Sequence, residues 1–322
     1  MSSTPRWLYV VLLAVGVFAP VLLPQIASQL AFLWIMVVFA LAWDIMGGRM
    51  GYNSFGNILF FGIGCYALAV FQRDLNWGGY WVALPIGLVF AGILASLAAV
   101  FFGVGMLGLR EKYFAVGTLG LGVAAGEIAA SWDYIGAGGG LSTTLMPVAG
   151  NANVYWAYIA FATAVVTFFA LKRLYVGRIG LALGAIRDDE DKAEAMGLPT
   201  TRVKTLAWAV SAFPLGVAGG IVGNMQGFID PRDIAFAGPT YGTWMILMAI
   251  LGGRGTLWGP VLGAFVFQIT KELFWVYLAE WQRIALGVLI VAIVVFFPRG
   301  ILGWARERWP QRFGVRVVET PA

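Results

Sequence analysis

Apolar runs of about 20 residues, punctuated by glycine, proline or clustered charge, recur from one end of the chain to the other. We read them at about 7–23, 28–47, 53–71, 79–105, 113–131, 153–171, 205–226, 240–252, 258–279 and 283–298. A run of about 20 residues rising 1.5 Å per residue crosses the roughly 30 Å of bilayer hydrocarbon. The pattern predicts an all-α fold: a polytopic transmembrane bundle of about ten membrane-embedded helices. The 240–252 run is too short to span unless it re-enters or extends into its flanks. Segment 7–23 follows the early cation Arg6, shows no clear A-x-A cleavage pattern and is followed at once by further apolar runs, so it reads as a retained span rather than a signal peptide.

Composition agrees. Of 322 residues, 60% are hydrophobic and 11% charged, with a mean hydropathy of +0.83; soluble domains carry about 25% charged residues. Histidine is absent, which removes the commonest general base and metal ligand and argues against an enzyme or a metal site. Cys65 is the single cysteine and, inside an apolar run, reads as packing. No G-x-x-x-x-G-K-[ST] phosphate loop occurs, so no cofactor is expected to bind this chain.

Basic residues stay on the cytoplasmic side of membrane proteins. With the N terminus inside, 17 of the 21 Lys and Arg residues fall on the inner side, so both termini are expected in the cytoplasm. The net charge of +5 is then a topology signal and calls for no nucleic-acid partner; membrane lipid is the expected surrounding.

Most of the 43 glycines, such as Gly216, Gly219 and Gly220, read as close helix contacts. Near Gly51–Gly56 and Gly252–Gly259 they read instead as helix breaks beside a solute path. These two places share a short likeness, Gly47-Gly48-Arg49-x-Gly51 and Gly252-Gly253-Arg254-Gly255, a faint sign of two related halves.

Residues 172–204 hold twelve charges, about a third of the chain's total, and form its one polar platform. Asp188 is placed to cap a helix of about eight residues, with Asp189, Glu190 and Asp191 in its first turn and Gly197 and Pro199 ending it. Ala193 and Met196 would share one face. Such a helix is either a solvated loop or a docking element for a soluble partner.

The run Gly177-Arg178, Ala185-Ile186-Arg187-Asp188-Asp189-Glu190, Ala193, Ala195, Gly197, Lys204 and Ser211-Ala212 resembles the cytoplasmic loop of the permeases of branched-chain amino acid ABC importers, the LivM-like family. Agreement extends, in order, through Asn53-Ser54-Phe55-Gly56, Phe60-Phe61-Gly62-Ile63-Gly64, Tyr113-Phe114-Ala115-Val116-Gly117-Thr118-Leu119, the stretch from Leu251 to Pro260, and Phe297-Pro298-Arg299-Gly300. The resemblance implies a multi-pass permease of a bacterial inner membrane. Its implied partners are a second related permease subunit, two cytoplasmic ATPase subunits that use ATP and Mg, and a periplasmic solute-binding protein. It makes Arg187, Asp188, Asp189, Glu190, Ala193, Ala195 and Gly197 the element that couples to the ATPase. The permease domain would run over 1–303, with 172–204 as its coupling loop and 304–322 as a cytoplasmic tail. The chain departs from the family where Ile135-Gly136-Ala137-Gly138-Gly139-Gly140-Leu141 lacks a usual threonine. Branched-chain amino acids are the default solute, with urea, short amides and small aromatic acids as alternatives.

Acids inside spans are functional candidates because a charge at the bilayer centre costs about 2.5–3.5 kcal/mol. Asp44, Glu127, Asp133 and the Lys271–Glu272 pair all lie near span ends, where they could snorkel. Glu127, beside Gly126, is expected to face other helices. With Asn53, Ser54, Phe55, Tyr113 and Thr118 it makes up the candidate solute path. An ion-coupled secondary carrier is the alternative of a different class, but it would want several titratable groups at the midplane.

Overall fold

A computed structural model describes residues 6–75, 78–109, 111–278, 281, 284–288, 291 and 300–308. The helices are α1 (Arg6–Leu22), α2 (Ala27–Asp44), α3 (Ile58–Asp74), α4 (Tyr80–Met106), α5 (Glu111–Ser131), α6 (Ala152–Val176), α7 (Arg178–Asp188), α8 (Glu190–Ala195), α9 (Thr200–Gln226), α10 (Thr243–Gly252), α11 (Gly259–Tyr277) and α12 (Gly300–Arg308). Nine of the ten apolar runs contain one of these helices. Of the tenth, 283–298, a helical stretch over 284–288 is described and most of the remainder lies outside the described residues. By length and apolar composition six described segments can cross a membrane, so the chain is a polytopic helical bundle.

Helix α2 forms its axis. A helix apolar on every side belongs in a core, and from Leu33 to Asp44 every residue of α2 is buried against α6, α9, α10 and α11. The second unit is α3, α4 and α9, whose backbones approach closely. A Cβ on Gly219 would overlap the Phe61 carbonyl, and one on Gly64 the Gly216 carbonyl, so this contact exists only because both helices carry glycine there. Cys65 is buried in the same seam. The glycines of α5 behave differently: Gly120 has no atom within 4 Å of a would-be Cβ, and Tyr113, Val116, Leu119 and Val123 are exposed.

Several boundaries differ from the apolar pattern. The predicted helix over 53–71 begins only at Ile58, because α2 ends in a π-helical turn (Ile45–Met50), Gly51 takes the left-handed conformation, and residues 51–57 run without helical structure. The second predicted break also exists, between Gly252 and Gly259. Helix α10 has ten residues, about 15 Å, and gains length from the π-helical turns Pro231–Ala235 and Gly238–Gly242 before it. The platform holds two helices where one was expected, α7 being a helix of 11 residues in its own right. Helix α9 starts at Thr200, directly after Pro199, several residues before the apolar run. At the opposite end of the bundle, the glycine-rich stretch 135–141 turns into a two-residue strand, β1 (Leu141–Ser142), antiparallel to β2 (Phe228–Ile229). Helix α12 continues through residue 304; 309–322 lie outside the described residues.

Candidate functional site: the platform and its anchor

Helix α8 is capped by Asp189, not Asp188. Asp189 is extended (φ −167°) and its carboxylate accepts the Lys192 N–H at 3.0 Å, whereas Asp188 closes α7 and pairs with Arg187 at 2.8 Å. The cap shifts one residue because α7 is itself a helix and uses Asp188 for its last turn. Lys192 also pairs with Asp189 at 2.8 Å, and its hydrogen bonds hold the Asp189 carboxyl below the usual range. Gly197 (φ +87°) ends α8: its N–H donates to the Glu194 carbonyl, and the Leu198 N–H to that of Ala193, the closing pattern only a left-handed residue allows. Ala193 is buried while Met196 is 89% exposed. The expected shared face is not formed, because Met196 lies past the last helical residue. Ala195 and Gly197 are exposed. Exposed Leu181 and Met196, with Ala182 and Ala185 between them, floor a shallow hollow on the outer face of α7–α8.

One acid of α8 points the other way. Glu190 pairs with Lys204 of α9 at 2.6 Å; the two side chains are 25% and 5% exposed. The Lys204 ammonium also donates to the Leu107 carbonyl at the end of α4 (2.6 Å) and lies over the Tyr52 ring, while the Tyr52 hydroxyl donates to Glu190. Buried charge survives only when paired and hydrogen-bonded, and here the pairing joins α8, α9, α4 and the broken segment 51–57 at one point. Sequence reasoning missed Tyr52 and gave Lys204 no role; a lysine five residues after Pro199, following an acid-rich turn, was the available signal.

From Tyr52 the connection continues. The Ser54 carbonyl accepts the Trp43 indole N–H (2.8 Å), and the Phe55 N–H donates to the Thr118 hydroxyl of α5 (3.2 Å). Ser54 and Thr118 are fully buried, Asn53 half-buried and Phe55 exposed. Tyr113 lines an open hollow with Gly51, Tyr52, Arg187 and Glu190. The path candidates therefore do not form one cluster. Glu127 lies fourteen residues along α5 from Tyr113, about 21 Å away, and is not packed between helices: it is exposed and paired with Arg232 at 2.7 Å.

A second junction went unrecognised in the sequence. Asp44 does not snorkel; it is fully buried, accepting the Gly255 N–H at 2.6 Å and the Tyr175 hydroxyl at 3.2 Å. The Arg49 guanidinium lies 4.3 Å from the Tyr175 ring centroid. The two glycine motifs thus meet: a Cβ on Gly48 would fall 2.5 Å from the Gly255 nitrogen, and one on Gly51 3.0 Å from Arg187 Cγ. Both broken segments rest against the platform. Among the described residues, no group of three or more Cys, Asp or Glu side chains comes together as a metal site would require.

Residues 25–294 match the family described as the branched-chain amino acid transport system permease component. The chain belongs to this permease family. It is 26% identical to the high-affinity branched-chain amino acid transport system permease protein LivM of Escherichia coli K12, over 99% of this chain and 80% of that protein. It is likewise 26% identical to the LivH permease of the same organism, over 83% of this chain and 90% of that one. The autoinducer 2 import system permease LsrC of Enterobacter sp. strain 638 is 28% identical, over 72% of this chain and 68% of the relative. No solved structure matches the chain. Membership in a permease family makes the chain a multi-pass transport subunit, and the anchored α7–α8 platform is its most elaborately built polar feature among the described residues.

Proposed function

We propose that this chain is one of two related permease subunits of an importer for amino acids, branched-chain ones by default, in a bacterial inner membrane. Two cytoplasmic ATPase subunits hydrolyse ATP with Mg, and a periplasmic binding protein delivers the solute. The observation that carries the reading is the Glu190–Lys204–Tyr52 anchor: an exposed helix pair is tied by buried charge to the segment that leads into α3 and, through Phe55 and Thr118, to α5. A push on α8 has a stiff route into the bundle. The outer residues Arg187, Asp188, Asp189, Ala195 and Gly197, with the Leu181–Met196 hollow, meet the ATPase; Glu190 and Ala193 face inward and transmit.

The proposal includes an orientation and a helix number. The start of α1 lies beside Lys172 near the end of α6, and Gly300 of α12 packs on Gly253 beside the Asp44 junction. Both ends of the described chain are therefore at the platform side, as cytoplasmic termini and an even number of crossings require; the reading takes ten embedded helices. The open α5 face, with Tyr113, Val116 and Gly120, is where the second permease subunit packs; Asn53 and Tyr113 then border the solute route, and Glu127 lies at its far end. LsrC, named for autoinducer 2 import, and the altered 135–141 stretch keep other small polar solutes as the second reading.

The test replaces Asp189 and Glu190 with Lys and measures assembly with the ATPase and solute uptake. Loss of either is expected; normal values for both would overturn the proposal.

A further inference from the structure

Helix α1 meets the bundle at two places, around Gly16 and at Tyr9. A Cβ on Gly16 would overlap the Phe161 ring of α6, and the Tyr158 hydroxyl donates to the Val17 carbonyl at 2.9 Å. Towards its start Tyr9 packs edge-on against Trp258 and Phe168, with ring centroids 4.9 and 6.1 Å apart, and an open crevice runs between α1, α2, α6 and the beginning of α11. Its wall is apolar or aromatic, with Leu12, Trp34, Phe161, Phe168 and Trp258 among the lining residues and Tyr9 at the mouth.

Above the mouth stands Lys172. Its ammonium lies 5.2 Å from the Tyr9 ring centroid and 5.8 Å from that of Phe169, and 3.4 Å from the Tyr9 hydroxyl. No carboxylate pairs with it among the described residues. From Lys172 down to Phe161 is eleven residues of α6, about 16 Å, close to the roughly 15 Å depth of one bilayer leaflet. A cation at the headgroup level over an apolar slot one leaflet deep fits a single kind of occupant.

We propose that this crevice holds one acyl chain of an anionic phospholipid from the platform-side leaflet, with its phosphate on Lys172. The headgroup then neutralises a cation that no protein acid serves, and the chain fills a gap that side chains leave empty. The proposal needs only that the bundle is membrane-embedded and is independent of what the permease carries.

Native mass spectrometry of the full chain, titrated with phosphatidylglycerol or phosphatidylcholine of identical acyl chains, tests it. One phosphatidylglycerol is expected to be retained about fivefold more tightly, the factor a single basic residue near an anionic surface is worth. Lys172→Gln should bring the two lipids to parity without weakening phosphatidylcholine. Leu13→Trp, which fills the crevice from exposed α1, should weaken both; should that variant not fold, Val165→Trp fills it from α6. Glycerol phosphate, the headgroup without chains, should not displace the lipid at equal concentration. Parity in the unsubstituted protein, an indifferent Lys172→Gln, unchanged binding in the filled variant, or displacement by glycerol phosphate would each overturn the proposal.

Discussion

Replacing Lys204 by Met removes the cation at the centre of the anchor and isolates two consequences. Glu190, three-quarters buried, keeps only the Tyr52 hydroxyl, and the Leu107 carbonyl loses its donor. Breaking a fully buried pair from one side costs about 3–5 kcal/mol; Glu190 retains some water, so about 2 kcal/mol is the better figure. At about 2–4 °C per kcal/mol for a chain of this size, the thermal midpoint of the purified protein should fall by at least about 4 °C. The double variant Lys204→Met with Glu190→Met removes both charges and should recover much of that loss, since two apolar groups replace the pair. Solute uptake by the reconstituted transporter should stay low in both variants, because Lys204→Met unties α8 from α9 and the end of α4, and the double variant also loses the Glu190–Tyr52 link to segment 51–57. The reasoning is refuted if the single variant melts and transports normally, or if the double variant regains uptake together with stability.

Further outcomes follow from the same geometry. Asp44→Ala leaves the Gly255 N–H buried without an acceptor, a loss of about 1–3 kcal/mol, and should lower folded yield in size-exclusion chromatography as well as uptake. Gly219→Ala should abolish monodisperse protein, because its methyl meets the Phe61 carbonyl; Gly120→Ala, with open space around it, should leave the isolated chain's melting unchanged and reduce only co-purification with the second permease. Asp189 has its carboxyl held below the ordinary value of 3.8 by Lys192, so its contribution to α8 is complete above that value and is lost as pH falls through the lowered one. Protection of the α8 amides against hydrogen exchange, taken relative to the intrinsic rate at each pH, should therefore hold down to about pH 4 and fall below it, and Asp189→Ala should lower that protection already at neutral pH.

The alternation of apolar and polar stretches determined a helical membrane protein and nearly all of its helices, because burial in lipid demands long apolar runs with internally satisfied backbones. The two helix breaks were legible because glycine leaves a local mark, and the α8 cap was misplaced by one residue because adjacent aspartates present the same signal. Pairings between distant residues carry no such mark. That Asp44 is buried and receives Gly255, that Lys204 turns inward to Glu190 and Tyr52, that Glu127 stays outside with Arg232, and that α1 leaves a gap beneath Lys172 were all decided by how the helices pack. A charge near the end of an apolar run can reach either water or a partner, and only the folded neighbourhood supplies the partner.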